Sequence, residues 1–249
     1  MMIRYLRFLA GRERTTEANR HLGLTLAFVA GAVNAGGFLA VSQFTSHMTG
    51  VLSLIAENLA VKNATLVTAG LFSFAAFLAG AATSAMLANW ARRKKLQSEY
   101  ALSLLLESAL LTAFGLLGHN LDAYSGPSAT LTVLLLCYVM GLQNAIITKI
   151  SGAEIRTTHM TGNATDLGIE LGKLFYWNID GTSGEKVTAN HDKIRIHAAL
   201  IASFVAGGCL GALGFKHLGF GVTLPISALL LIIAVGPVWE DLAPHAEIP

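Results

Sequence analysis

The chain has 249 residues, 53% of them hydrophobic and only 13% charged, with a formal net charge of +2. Soluble domains carry about a quarter charged residues, and several apolar runs here approach or exceed the roughly 20 residues that cross a bilayer. A soluble globular domain is thereby excluded, and an all-α polytopic membrane helix bundle is expected. The basic clusters lie beside apolar runs, where orientation in the membrane explains them, so nucleic acid is not expected as a partner.

In chain order, residues 1–20 carry Arg4, Arg7, Arg12, Arg14 and Arg20 and read as a cytoplasmic N-terminal segment. The apolar run that follows is a full span with no small-residue cleavage site, so no signal peptide is expected. Spans are predicted near 22–41, 65–90, 100–118, 128–148, 197–217 and 220–239. Two short, polar-streaked segments, 46–60 and 158–174, remain between them.

The charges decide whether those two segments cross. If both did, with a cytoplasmic N-terminus, the cluster Arg92-Arg93-Lys94-Lys95 would lie outside, against the positive-inside rule. If neither does, that cluster is inside, together with Lys149, Arg156, Lys173, Lys186, Lys193 and Arg195. The charge-poor loop 119–127 is then outside, with only Lys62 and Lys216 as external basic residues. Six spans with both termini cytoplasmic, in a bacterial inner membrane, is the reading that follows, and 176–195 becomes a polar cytoplasmic loop. Cys137 and Cys209 fall inside apolar spans and are expected to be free, buried thiols.

One motif occurs twice. Gly31-Ala32-Val33-Asn34-Ala35 followed by Thr45-Ser46-His47-Met48-Thr49-Gly50 is answered by Gly141-Leu142-Gln143-Asn144-Ala145 followed by Thr157-Thr158-His159-Met160-Thr161-Gly162. Phe77-Leu78-Ala79-Gly80 is answered by Phe204-Val205-Ala206-Gly207, and Ser108-Ala109-Leu110-Leu111 by Ser227-Ala228-Leu229-Leu230. The chain reads as one membrane domain, 1–249, made of a repeat at about 21–119 and a second at about 128–240. Three crossings per repeat, an odd number, imply inverted topology, as in many secondary transporters. Each repeat holds one interrupted or re-entrant helix.

An Asn or His in an apolar setting is costly unless it has partners or a task. Ser46 and Thr158 suit N-caps, with His47 and His159 opening the helices that follow. From His159, residues Gly162, Asp166, Glu170 and Lys173 recur at three- and four-residue steps on one helical face, and Ser46, Thr49, Ser53 and Glu57 form the matching stripe in the first half. Candidate substrate-binding residues are Asn34, His47, Thr49, Asn144, His159, Thr161 and Asn163, expected to converge near the bilayer midplane. Interhelical glue is the competing reading of the asparagines, helix packing that of Gly50 and Gly162, and core hydrogen bonding that of the histidines. Glu107, mid-span with Ile226 as its repeat counterpart, and Asp166 and Glu170 are candidate proton-coupling residues, with His159 as a further one.

Gly-x-x-Asn-Ala followed by His-Met-Thr-Gly-(Asn) resembles the YoaK-like family of bacterial membrane proteins, over roughly 20–240. The second copy, Thr158 to Asn163 with Asp166, Gly168 and Glu170, is the more specific; the first has Val51 where the second has Asn163. The resemblance implies about six spans and a domain of unknown function, and no substrate. A secondary transporter of a small polar solute or ion, with room for proton coupling, is the first functional expectation and a channel the second. An intramembrane enzyme ranks third, since no His-x-x-x-His or Glu-x-x-His metal spacing occurs. Neither a zinc spacing nor a nucleotide-binding fingerprint is present, so no cofactor is expected. The expected partners are the small solute or ion and the lipid bilayer, and a homodimer is compatible with this reading.

Overall fold

In a computed structural model, residues 9–12, 14–41, 43–117, 127–152, 155–178 and 186–242 are described. Residues 119–126 of the predicted loop 119–127, the N-terminal arginines Arg4 and Arg7, and residues 179–185 of the polar loop lie outside them. The described residues form helices and no strand: α1 (Thr16–Val41), α2 (Met48–Ala60), α3 (Ala64–Arg93), α4 (Ala101–Leu117), α5 (Pro127–Ile150), α6 (Met160–Leu174), α7 (His191–Leu218) and α8 (Thr223–Leu242). A single 3₁₀ turn, Gly219–Val222, separates the last two.

Thr16–Leu39, Ala64–Arg93, Leu131–Ile150 and the 52-residue stretch His191–Leu242 are long and apolar enough to cross a membrane. Gly219, at φ +57°, breaks that last stretch into α7 and α8. Ala101–Leu116, in α4, is apolar but shorter. All six predicted spans are thus helical, and the two unassigned segments became the short helices α2 and α6. Their neighbours α3 and α7 start alike: Asn63 and Asn190 are N-caps whose side chains accept backbone N–H groups of the first turn.

The protein is a helical membrane bundle, and its burial follows from what each helix faces. Of the apolar window in α1, 67% is buried inside the protein, against 17% in α3. α1 is therefore central. α3 turns Leu71, Phe72, Leu78 and Met86 outward, which suits contact with lipid rather than water.

The most extensive packing pairs α1 with α7 and α5 with α3. Both crossings are built from glycine, and from equivalent ones. A Cβ on Gly31 would run into the Phe204 carbonyl of α7, and one on Gly207 into the Phe28 carbonyl of α1. In the other half, a Cβ on Gly141 would strike the Phe77 carbonyl of α3 and one on Gly80 the Tyr138 carbonyl of α5. Small residues let backbones approach where no hydrophobic effect separates helix from lipid. The third pair, α4 with α8, joins a residue to its own repeat counterpart: the Ser108 hydroxyl donates to the Ser227 carbonyl at 2.7 Å.

Two expectations need correcting. Ser46 and Thr158 are not N-caps; the caps are His47 and His159, and neither makes a side-chain capping bond. The two hydroxyls donate instead to interhelical acceptors, Asn34 Oδ1 at 2.9 Å and Asn144 Oδ1 at 2.6 Å. Cys137 is free and buried, as expected, but the free Cys209 is exposed, because it stands on the outward side of α7.

Candidate functional site

A cavity of about 950 Å³ lies between the start of α1, the end of α5, α6 and the start of α7. Helix α6 contributes the predicted face: Gly162, Asp166, Glu170 and Lys173 line the cavity, with His159 at its cap. Thr161, Asn163 and Thr165 line it as well. Opposite stand Arg20 of α1, Ile150 at the end of α5, Arg156 in the segment before α6, and Lys193 and His197 of α7.

Local geometry explains the motif's spacing. A Cβ on Gly162 would collide with the His159 ring, and one on Gly50 with the His47 ring. Each glycine therefore lets its own histidine lie against the first helical turn. That is a different close approach from the packing between helices considered above.

The polar groups form a chain. Arg156 Nη1 lies 3.2 Å from His159 Nδ1. Arginine can only donate, so Nδ1 accepts and the ring proton sits on Nε2. Asn163 Nδ2 donates to the Arg156 carbonyl at 3.0 Å, which leaves its Oδ1 to accept from His197 Nδ1 at 3.2 Å. His197 Nε2 then faces Asp166 Oδ2 at 3.9 Å.

The two carboxylates differ. Asp166 is more than half exposed. Glu170 is the buried one. It accepts the Asn190 backbone N–H at 2.8 Å and Lys173 Nζ at 2.8 Å. These bonds, the backbone one first, hold its carboxyl below the ordinary carboxylate range.

The residues predicted from the first half do not join this cavity. Asn34, His47, Thr49 and Glu107 are absent from its lining, and so is Asn144 of the second half. The reason is visible along α1: Arg20 borders the cavity, whereas Asn34, which holds Ser46, stands 14 residues further on, about 21 Å along a helix axis. The two motif copies meet α1 at different levels, since Gln143, beside Asn144, bonds the Leu26 carbonyl, eight residues before Asn34. Both asparagine oxygens are already engaged, Asn34 by the Ser46 N–H and hydroxyl and Asn144 by the Thr158 hydroxyl. Thr49, Ser53 and Glu57 of the first-half stripe are exposed, and Asn58 is the buried polar residue of α2.

Glu107 is fully buried in α4, and neither carboxyl oxygen has a hydrogen-bond partner among the described residues. Gln143 shares that character in α5: its Nε2 donates to the Leu26 carbonyl at 2.8 Å, but its Oε1 has no partner. Thr45 and Thr157, equivalent in the two repeats, are likewise buried with unpartnered hydroxyls. Reading the sequence for shared motif residues passed over Arg20, Lys193 and His197. The available signal lay in the differences between the halves, since Arg156 is Phe44 in the first copy and His197, aligned through Phe-x-Ala-Gly, is Gly70.

Residues 22–236 match the model of a family described as protein of unknown function (DUF1275). The chain belongs to that family, in keeping with the resemblance read from its motif. No curated protein and no solved structure matches it.

Proposed function

We propose that this chain is a secondary carrier of a small polar solute or ion, with its two repeats lying in the membrane in opposite orientations. The observation that carries this reading is the polar cavity of about 950 Å³ beside the short helix α6. Its volume lies at the upper end of the range of small-molecule sites. Three further features support it. The same glycine crossings and the same Asn-to-hydroxyl tether occur in both halves. The two tethers meet the central helix at different levels, as an inverted repeat requires. Short helices that start beside a cavity are a recurring device of such carriers. In this reading both termini face the cytoplasm of a bacterial cell and the cavity opens on that side.

Glu107 is the group we assign to proton coupling, because an unpaired buried carboxyl is costly to keep without a task.

A thermal-shift screen of the detergent-purified protein against metabolites and ions identifies a stabilising solute, since a ligand of the folded state raises the melting temperature. That solute is then offered to proteoliposomes. Saturable uptake with counterflow is expected, and single-channel current steps in a planar bilayer would replace the carrier with a pore. Glu107→Gln keeps shape and removes the titration. It should abolish accumulation driven by a pH gradient and leave downhill exchange intact; unaltered accumulation would release Glu107 from the role.

A further inference from the structure

The charges around the cavity speak to the class of solute. Arg20, Arg156, Lys173 and Lys193 line it, against two carboxylates, Asp166 and Glu170. Lys173 and Glu170 neutralise each other at 2.8 Å. Asp166 lies nearest to His197. Arg20, Arg156 and Lys193 make no salt bridge among the described residues, and Thr161 and the Nε2–H of His159 add neutral donors.

The first repeat shows that this charge is not needed to build the scaffold. Aligned through His47 and His159, Arg156 is answered by Phe44, Asn163 by Val51, Asp166 by Leu54, Glu170 by Asn58 and Lys173 by Val61. Aligned through Phe-x-Ala-Gly, Lys193 is answered by Leu66 and His197 by Gly70. The same tether, caps and glycine crossings form without any of these groups. Orientation in the membrane accounts for basic residues at this end of the bundle. It does not account for three of them gathering around one cavity whose two carboxylates face Lys173 and His197.

We infer that the cavity is a seat for a small oxyanion, a carboxylate or phosphate group, with Arg156, Arg20 and Lys193 as its cations. Guanidinium is suited to this because its planar fork matches the geometry of both groups. The inference rests on the carrier reading for its purpose, but it is tested by equilibrium binding, which needs no transport. The same chemistry could come from a free solute or from the headgroup of an anionic lipid.

The full chain in dodecyl maltoside near neutral pH is titrated with sodium phosphate and, separately, sodium succinate, at ionic strength matched with sodium chloride. Melting temperature and calorimetric heat are read. At least one of the two oxyanions should stabilise saturably where chloride does not. Arg156→Gln should weaken that binding at least tenfold, with Arg156→Lys intermediate, and Lys193→Gln severalfold. Lys62→Gln, far from the cavity, should bind as wild type. If Arg156→Gln melts below wild type without ligand, Lys193→Gln, an exposed side chain, carries the comparison. Neither oxyanion exceeding chloride would overturn the inference, as would variants that bind with wild-type affinity. Repeating the titration in nanodiscs separates the two sources. Phosphate or succinate binding that persists in phosphatidylglycerol discs assigns the seat to a solute. Binding that vanishes there but survives in phosphatidylcholine assigns it to a lipid headgroup. Oxyanion binding without uptake in proteoliposomes would keep the seat and remove the carrier, whereas uptake of only a neutral or cationic solute would do the reverse.

Discussion

The two halves of this protein use one set of joints to hold different contents. In each, a glycine at the head of the Gly-x-x-Asn motif lets a central helix touch a partner's backbone, and the asparagine three residues on ties down the hydroxyl that precedes the short helix. In each, a second glycine makes room for the motif histidine. Beyond these joints the halves part. Helix α6 with its neighbours surrounds a charged cavity, whereas the equivalent positions beside α2 hold Phe44, Val51, Leu54 and Leu66. A duplicated scaffold separates the residues that build the bundle from those that serve it, because the former must recur wherever the same backbone contact recurs.

The comparison breaks most decisively at topology. Single cysteines replacing Lys62 and Lys94 should label from opposite sides, the first in intact cells and the second only after permeabilisation. External labelling at Lys94 would end the inverted arrangement and leave the duplicated contacts without that explanation.

Next in size come the crossing glycines. Gly31→Val and Gly141→Val each force a side chain against a backbone carbonyl that cannot move without its helix. Overpacking of this kind typically costs about 1–3 kcal/mol, and both variants should sit at or beyond the upper end, read as lost monodisperse yield or a lowered melting temperature. Similar losses sharpen the equivalence of the halves; tolerance of one alone would show that only one crossing is tight.

The tethers should matter less. Asn34→Ala and Asn144→Ala each remove a side-chain link worth about 1 kcal/mol in a membrane interior. The Asn34 variant should lose more, because two donors from Ser46 converge on its oxygen. A larger loss at Asn144 would mean that its bond to the Met140 carbonyl carries more than the tether does.

The smallest effect distinguishes Glu170 from its counterpart Asn58. The carboxyl is held below its ordinary value, so its contribution is present at neutral pH, where it is ionised in both states. It is lost as pH falls below about 4.5 through the depressed folded value. The melting-temperature gap between wild type and Glu170→Gln should therefore narrow on acidification. A gap constant down to pH 3 would show that the Lys173 and Asn190 bonds do not depend on the charge.

The sequence by itself determined the helical membrane class, the duplicated motifs, the placement of the apolar helices and the polar face of α6. Each of these is a matter of local composition or of period, so each can be read along the chain. What only the tertiary structure decided concerns which chain-distant groups meet. Identical motifs suggested a common meeting point for His47 and His159, yet only His159 lines the cavity and each asparagine is satisfied within its own half. Arg20, Arg156 and the i,i+4 pair Lys193 and His197 come from three separate segments, so nothing short of the packing of α1, α6 and α7 could assemble them around one cavity. The burial of Glu170 and the exposure of Asp166, one turn apart on the same helix, were decided by whether α7 begins above them, because the Asn190 N–H that holds Glu170 comes from the cap of that helix.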